Sequence, residues 1–121
     1  MAHTSPINVE DYRQLAKKRL PRMVFDYLDG GAEDEKGLEH NRTVFDNVRL
    51  KPQRLVDVSQ RSLSTKLFGS TLSMPLIIAP TGLNGVLWPK GDIALAKSAA
   101  KAGIPFVLST ASNSSIEEVA S

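Results

Sequence analysis

The residues best suited to chemistry lie in one short stretch, Met74-Pro75-Leu76-Ile77-Ile78-Ala79-Pro80-Thr81-Gly82-Leu83-Asn84-Gly85. Its first half is apolar and branched, the pattern of a strand buried on both faces in a parallel sheet. Its second half changes to Pro-Thr-Gly and then Asn-Gly. Pro80 has no N–H to give a neighbouring strand, so regular pairing should stop there. Gly82 has no Cβ, so another molecule can come close to its backbone. A buried strand that ends in a bare polar turn is where α/β proteins hold ligands. A plain surface loop is the competing reading of the same residues.

The elements that must position this turn can be read on either side of it. After it, Gly91-Asp92 opens a run from Ile93 to Ala102, with Asp92 as N-cap and Gly103 as the C′ residue. Ile93, Ala96, Ala99, Ala100 and Gly103 form one narrow face of small residues, which lets a helix lie close to a sheet. Lys97, Ser98 and Lys101 fall on another face. Pro105-Phe106-Val107-Leu108-Ser109-Thr110 is a second buried strand that also ends in polar groups, here hydroxyls. Ser114 or Ser115 caps a last helix, with Glu117 and Glu118 each three positions on, as a capping box requires. The order is strand, helix, strand, helix. The separation of the strands is ample for a right-handed parallel crossover.

Before the turn, Asn8 caps a helix to about Leu20, and Pro21 suits the first turn of a second helix that Gly30-Gly31 ends. Glu33, Asp34 and Glu35 open a third, to about Asn47, where their charge favours the positive end of the dipole. Val48 to Val58 reads as extended chain. Leu63, Thr65 and Leu67, then Leu72 and Met74, alternate as a hairpin with Gly69-Ser70 as a two-residue type II′ turn.

Composition narrows the function. The chain has 121 residues, 41% hydrophobic and 23% charged, enough for one small domain and outside the disordered range. A net charge of +2 gives no case for nucleic acid. The basic group Arg13, Lys17, Lys18, Arg19 and Arg22 lacks interleaved aromatics and reads as a solvated helix face. There is no cysteine, which removes disulfides and thiolate metal sites. His40 has no second ligand at a suitable spacing and reads as a surface residue; no metal site is expected. No apolar run approaches ~20 residues, and Met1 to Pro6 lacks the apolar core of a signal peptide, so a cytoplasmic protein is expected.

Several separated segments together resemble the FMN-dependent α-hydroxy-acid oxidising enzymes. They are Asp26-Tyr27-Leu28-Asp29-Gly30-Gly31-Ala32-Glu33-Asp34, Asn41-Arg42, Met74-Pro75, Ala79-Pro80-Thr81-Gly82 and Leu108-Ser109-Thr110, in that order over about residues 7 to 121. Within the family, Thr81 through Gly91 and Ala102-Gly103-Ile104-Pro105-Phe106 are most similar to the mandelate-oxidising branch. The resemblance implies an α/β chain that forms the N-terminal part of a (β/α)8 TIM barrel, preceded by helices and a β-hairpin, with FMN at the carboxyl ends of the strands. Residues 1–121 would be one portion of a single domain, with the helices and hairpin over about 7–74 and two βα units over about 75–121.

The resemblance also implies roles. Pro80, Thr81 and Gly82 would run beside the flavin with their backbone at its reactive edge, and Ser109 would meet it too. Tyr27 would place its phenol on the substrate carboxylate, a neutral donor for an anion. On the residues alone, Tyr27 reads as an amphipathic core aromatic and Ser109 as a satisfied strand-end hydroxyl. The implied reaction is oxidation of an (S)-2-hydroxy acid, mandelate or a related aromatic one, to the 2-oxo acid, with hydride passing to flavin N5. The family's proton-abstracting histidine, substrate-binding arginines and flavin-binding lysine belong to later strands, so no catalytic residue is expected in this chain.

An oxygen-using oxidase of the family and a non-catalytic fragment are the alternatives. Gly82, where many family oxidases carry alanine, leans toward a dehydrogenase. Two strands cannot close a barrel, so a remaining barrel segment is expected from a second chain or from residues not in this sequence. A homo-oligomer is expected, as is peripheral membrane attachment, if any, through a segment outside this chain.

Overall fold

The computed structural model describes residues 5–121. They form two compact units, one ending at Leu55 and one running Val56–Ser121.

The first unit is helical. Helix α1 spans Val9–Arg19, and Oδ1 of Asn8 accepts from the Asp11 N–H at 2.8 Å, the N-cap read from the sequence. Helix α2 spans Arg22–Asp29; Pro21 sits just before it, one place earlier than expected, with its carbonyl accepting from Phe25 N. Phe25 is the buried residue among the described residues of this unit, and the ammonium of Lys17 lies 5.9 Å from the centre of its ring. Helix α3 spans Lys36–Thr43 and tightens into a 3-10 turn over Val44–Asn47. Glu35 precedes it at φ +58°, and its carboxylate accepts from Gly31 N at 3.1 Å.

Side chains tie these helices together. The Arg13 guanidinium grips Asp29 across α1 and α2, and Glu10 reaches both Arg13 and Arg42. The Asp29 carboxyl is held below the usual range, first by the Arg13 hydrogen bond and then by its charge, and Arg13 is pushed up in return. Of the basic group on α1 and α2, Arg13 and Arg22 are therefore in ion pairs, the latter with Asp26 at 3.5 Å.

The second unit begins with a hairpin of β1 (Thr65–Leu67) and β2 (Ser70–Leu72), paired Thr65 to Leu72 and Leu67 to Ser70. The turn differs from the expected one. Its two residues are Phe68 and Gly69, at φ +49° and +80°, so it is type I′ rather than II′, and Ser70 belongs to the strand. The alternation explains this. Leu72 must point inward to be buried, which fixes its partner as Thr65 and leaves Phe68 in the turn despite the strain of positive φ.

The two expected barrel strands lie side by side and parallel, but regular pairing reduces to one bridge, Ile78 to Phe106. Ile78 N donates to Pro105 O at 3.0 Å and Val107 N to Ile78 O at 3.1 Å. Pro75, Pro80 and Pro105 remove donors on either side, which is why the ladder is so short. The connection between them contains α4 (Asn84–Leu87) and α5 (Gly91–Ala102). Gly103 ends α5 at φ +65°, with Gly103 N on Ala100 O and Ile104 N on Ala99 O, a Schellman motif. Ser73 completes that end, its hydroxyl 2.5 Å from Ala102 O and its N–H on Gly103 O.

On the small face of α5 Ala99 is buried, whereas Ala100 is exposed. Helix α6 (Ile116–Ala120) begins with the capping box of Ser115 and Glu118.

Candidate functional site

The chain around Ile78 and Phe106 leads into two turns that end next to each other. Pairing resumes past Pro80, where Leu83 N donates to Ala111 O at 3.0 Å. Two residues further, Gly85 N donates to Asn113 Oδ1 at 3.0 Å. The turn Pro80-Thr81-Gly82 is thereby set beside the turn Ser109-Thr110-Ala111. A Cβ added at Gly82 would lie 3.3 Å from Ala111 Cβ and 3.9 Å from Ser109 Oγ. Four of the expected site residues, Pro80, Thr81, Gly82 and Ser109, thus come together at the carboxyl ends of the two strands.

The polar groups of these turns divide into used and free. Ser109 Oγ accepts from Ala111 N at 3.1 Å, and its own proton meets no acceptor among the described residues. Thr81 Oγ1 donates to Asn84 Oδ1 at 2.9 Å, so its hydroxyl is taken up locally. The backbone N–H groups of Thr81 and Gly82 meet no partner among the described residues. Pro80 and Thr81 are exposed and Gly82 and Ser109 half-buried. The turns therefore offer three unspent donors, two backbone amides and one hydroxyl. They suit a planar ligand whose edge carries several acceptors.

Beneath the turns lies a polar node that the sequence reading missed. Asp92, 1% exposed, is not the N-cap of α5; Lys90 takes that place at φ +55°, and Asp92 sits in the first turn with its side chain turned inward. Its Oδ1 accepts from Asn84 Nδ2 at 2.6 Å and its Oδ2 from Ser112 Oγ at 2.7 Å. Asn84, 7% exposed, also donates to Thr81 O at 3.1 Å. Both its amide protons and its oxygen are satisfied, which fixes the orientation of the amide. Gly91 permits the approach, since a Cβ there would sit 2.7 Å from Asn84 O. The Asn-Gly pair and Asp92 were visible in the sequence, but nothing local paired them with each other or with Ser112.

Tyr27 belongs to the first unit; it is 61% exposed and its hydroxyl has no partner among the described residues. His40 is on α3 and exposed. Trp88 is 63% exposed beside a cavity of about 320 Å³ walled by Leu87 and Leu95. Among the described residues no group of His, Asp and Glu could hold a metal ion, and no helix is long and apolar enough to cross a membrane.

The sequence pattern of FMN-dependent dehydrogenases matches residues 16–121. The (S)-mandelate dehydrogenase of Pseudomonas putida is 70% identical over 113 residues, 93% of this chain and 29% of that protein. An L-lactate oxidase of Nostoc sp. is 49% identical over 98% of this chain and 33% of its own length. A crystal structure of (S)-mandelate dehydrogenase described as a monotopic membrane protein superposes with a TM-score of 0.91 at 68% identity, covering 97% of this chain and 31% of that one. The chain thus spans about a third of the length of the relatives it matches. The shared fold is the N-terminal part of a (β/α)8 barrel, with the helices and the two-stranded sheet that precede it.

Proposed function

The chain belongs to the FMN-dependent dehydrogenase family, and from that premise we propose that it is part of an enzyme that oxidises an (S)-2-hydroxy acid, mandelate or a related aromatic one, to the 2-oxo acid. FMN, when bound, supplies the acceptor for the hydride that leaves the substrate carbon. The observation that carries the reading is the meeting of Gly82 and Ser109 at the strand ends, with three donors unspent. That donor set fits a flavin, whose edge presents carbonyl oxygens and ring nitrogens. Thr81 and Gly82 offer it backbone amides, and Ser109 a hydroxyl. Backbone amides are well suited to the task, because they stabilise negative charge without reorganising.

Tyr27 is assigned the substrate carboxylate. Its unpartnered phenol and its exposure support that role, and a neutral donor binds an anion without leaving a buried charge when the site is empty. No residue of this chain is assigned the proton-abstracting step. The remaining barrel strands belong to the same reading, as do a homo-oligomeric state and a cytoplasmic location with peripheral membrane attachment through a segment outside this chain. The monotopic relative supports the last of these.

A second reading, an oxidase that passes electrons to oxygen, is favoured by the similarity to L-lactate oxidase. The deciding experiment uses the complete protein. Its visible spectrum should show flavin bands that bleach anaerobically on adding (S)-mandelate. Flavin bands that persist with mandelate, lactate and glycolate alike would overturn the substrate class. Oxygen uptake without dye reduction would favour the oxidase.

A further inference from the structure

Asp92 is an ionisable side chain in the interior that the proposed chemistry does not use. It forms no ion pair among the described residues; its two oxygens meet only the amide of Asn84 and the hydroxyl of Ser112. Burying a carboxylate without a cation is unfavourable, and an apolar residue of similar volume is often as stable or more so. Stability of the fold therefore does not account for a carboxylate here, and the position of its two partners does.

We propose that Asp92 is a positioning residue, a clamp that joins Asn84 to Ser112 and so holds the Thr81-Gly82 and Ser109-Ala111 turns in register for the flavin. The proposal rests on the reading of those turns as flavin contacts. Asn84 transmits the constraint on one side. Its amide holds both the carbonyl and the hydroxyl of Thr81, so the Thr81 peptide cannot rotate while Asp92 holds the amide. Ser112 transmits it on the other side. Ser112 N donates to Ser109 O, closing the turn that presents the Ser109 hydroxyl, and Ser112 Oγ accepts from Ser114 N. The link from Leu83 to Ala111 and the link from Gly85 to Asn113 flank the clamp, so the two turns are joined at three successive levels. A carboxylate suits the centre because its two separate oxygens each take one partner, Oδ1 the Asn84 amide and Oδ2 the Ser112 hydroxyl, whereas a hydroxyl presents a single oxygen and an apolar side chain none.

The test uses the complete FMN-loaded protein and reads flavin release, the position of the visible flavin bands, and amide exchange at Leu83 and Gly85. Asp92→Leu removes both acceptors. It should release FMN about tenfold faster or more, shift the flavin bands, and speed exchange at Leu83 and Gly85 relative to Gly103. Asp92→Asn should restore most of this, since its oxygen can accept from Asn84 while its nitrogen donates to Ser112. Leu72→Ala, a core change in β2, should speed exchange at all three amides alike.

The clamp is wrong if folded Asp92→Leu releases FMN at the unchanged rate with unchanged exchange, or if Asp92→Asn is as damaging as Asp92→Leu. Should Asp92→Leu not fold, Ser112→Ala decides: release about threefold faster supports the clamp and an unchanged rate overturns it. If the unmutated protein holds no FMN, the functional reading fails, and exchange at Leu83 and Gly85 alone decides the clamp.

Discussion

Arg13 and Asp29 meet side-on across two helices, Nε 2.5 Å from Oδ1 and Nη2 2.7 Å from Oδ2. The fork of the guanidinium matches both carboxylate oxygens, so the contact fixes an angle between α1 and α2 as well as a distance. Asp29 has a lower pKa folded than unfolded, first through the hydrogen bond from Arg13. Its stabilising contribution is thus present above the unfolded value and lost as pH falls through the folded one, below about pH 4. Unfolding of the complete protein should become easier in that range, and less steeply so in Asp29→Asn. Parallel curves for the two proteins would show that the pair adds nothing.

The cap on α1 gives a second prediction. Asn8→Ala removes the acceptor for Asp11 N and should destabilise the helix by about 1 kcal/mol, with Asn8→Asp close to neutral. Denaturant titration of both variants checks it. Equal loss in the two would point away from capping.

Tyr27→Phe keeps the ring and removes one donor. The proposed carboxylate contact predicts substrate binding weaker by about 1.5–3 kcal/mol, ~10- to 150-fold, with the fold intact. Steady-state kinetics with mandelate and with its methyl ester separate the possibilities. A loss confined to the free acid supports the role, and no loss with either would refute it.

Gly82→Ala places a methyl 3.3 Å from Ala111 Cβ, close enough that the two turns must separate by a few tenths of an ångström. Stability should change little, because Ala111 has to give by only a few tenths of an ångström. The ratio of oxygen to dye reduction should rise, as the proposed flavin edge loses a close backbone contact. An unchanged ratio would remove Gly82 from the tuning of the flavin.

Local chemistry was the legible part of this sequence. Asn8, Gly103 and the pair Ser115–Glu118 sit where their capping chemistry put them, since each acts within four residues of itself. The hairpin turn was misplaced by one residue because a phenylalanine at positive φ opposes its own preference; burial of Leu72 on β2 overrode it. Asp92 lies two residues past the cap, in the first turn of α5, and has a different use. Its partners come from eight and twenty residues away, and only the parallel approach of the two turns brings them into reach. The turns of the candidate site could be found from Pro80 and Gly82, but not the node that supports them.

That node also bears on how the protein ages. Asn84 is followed by Gly85, and such a pair cyclises readily in a loose chain because no Cβ shields the glycine nitrogen from the side-chain carbonyl. Here the nitrogen of Gly85 is held by Asn113 Oδ1, and the Asn84 amide is pinned by Thr81 and Asp92. Neither partner is free to swing toward the other. Mass spectrometry of a long-stored folded sample should therefore find this amide intact, while an unfolded peptide of the same residues loses it. Once lost, it would leave a carboxylate where Nδ2 now lies 2.6 Å from Asp92 Oδ1. Two buried negative charges would then face each other, and the first chemical lesion at this spot would open the turn from within.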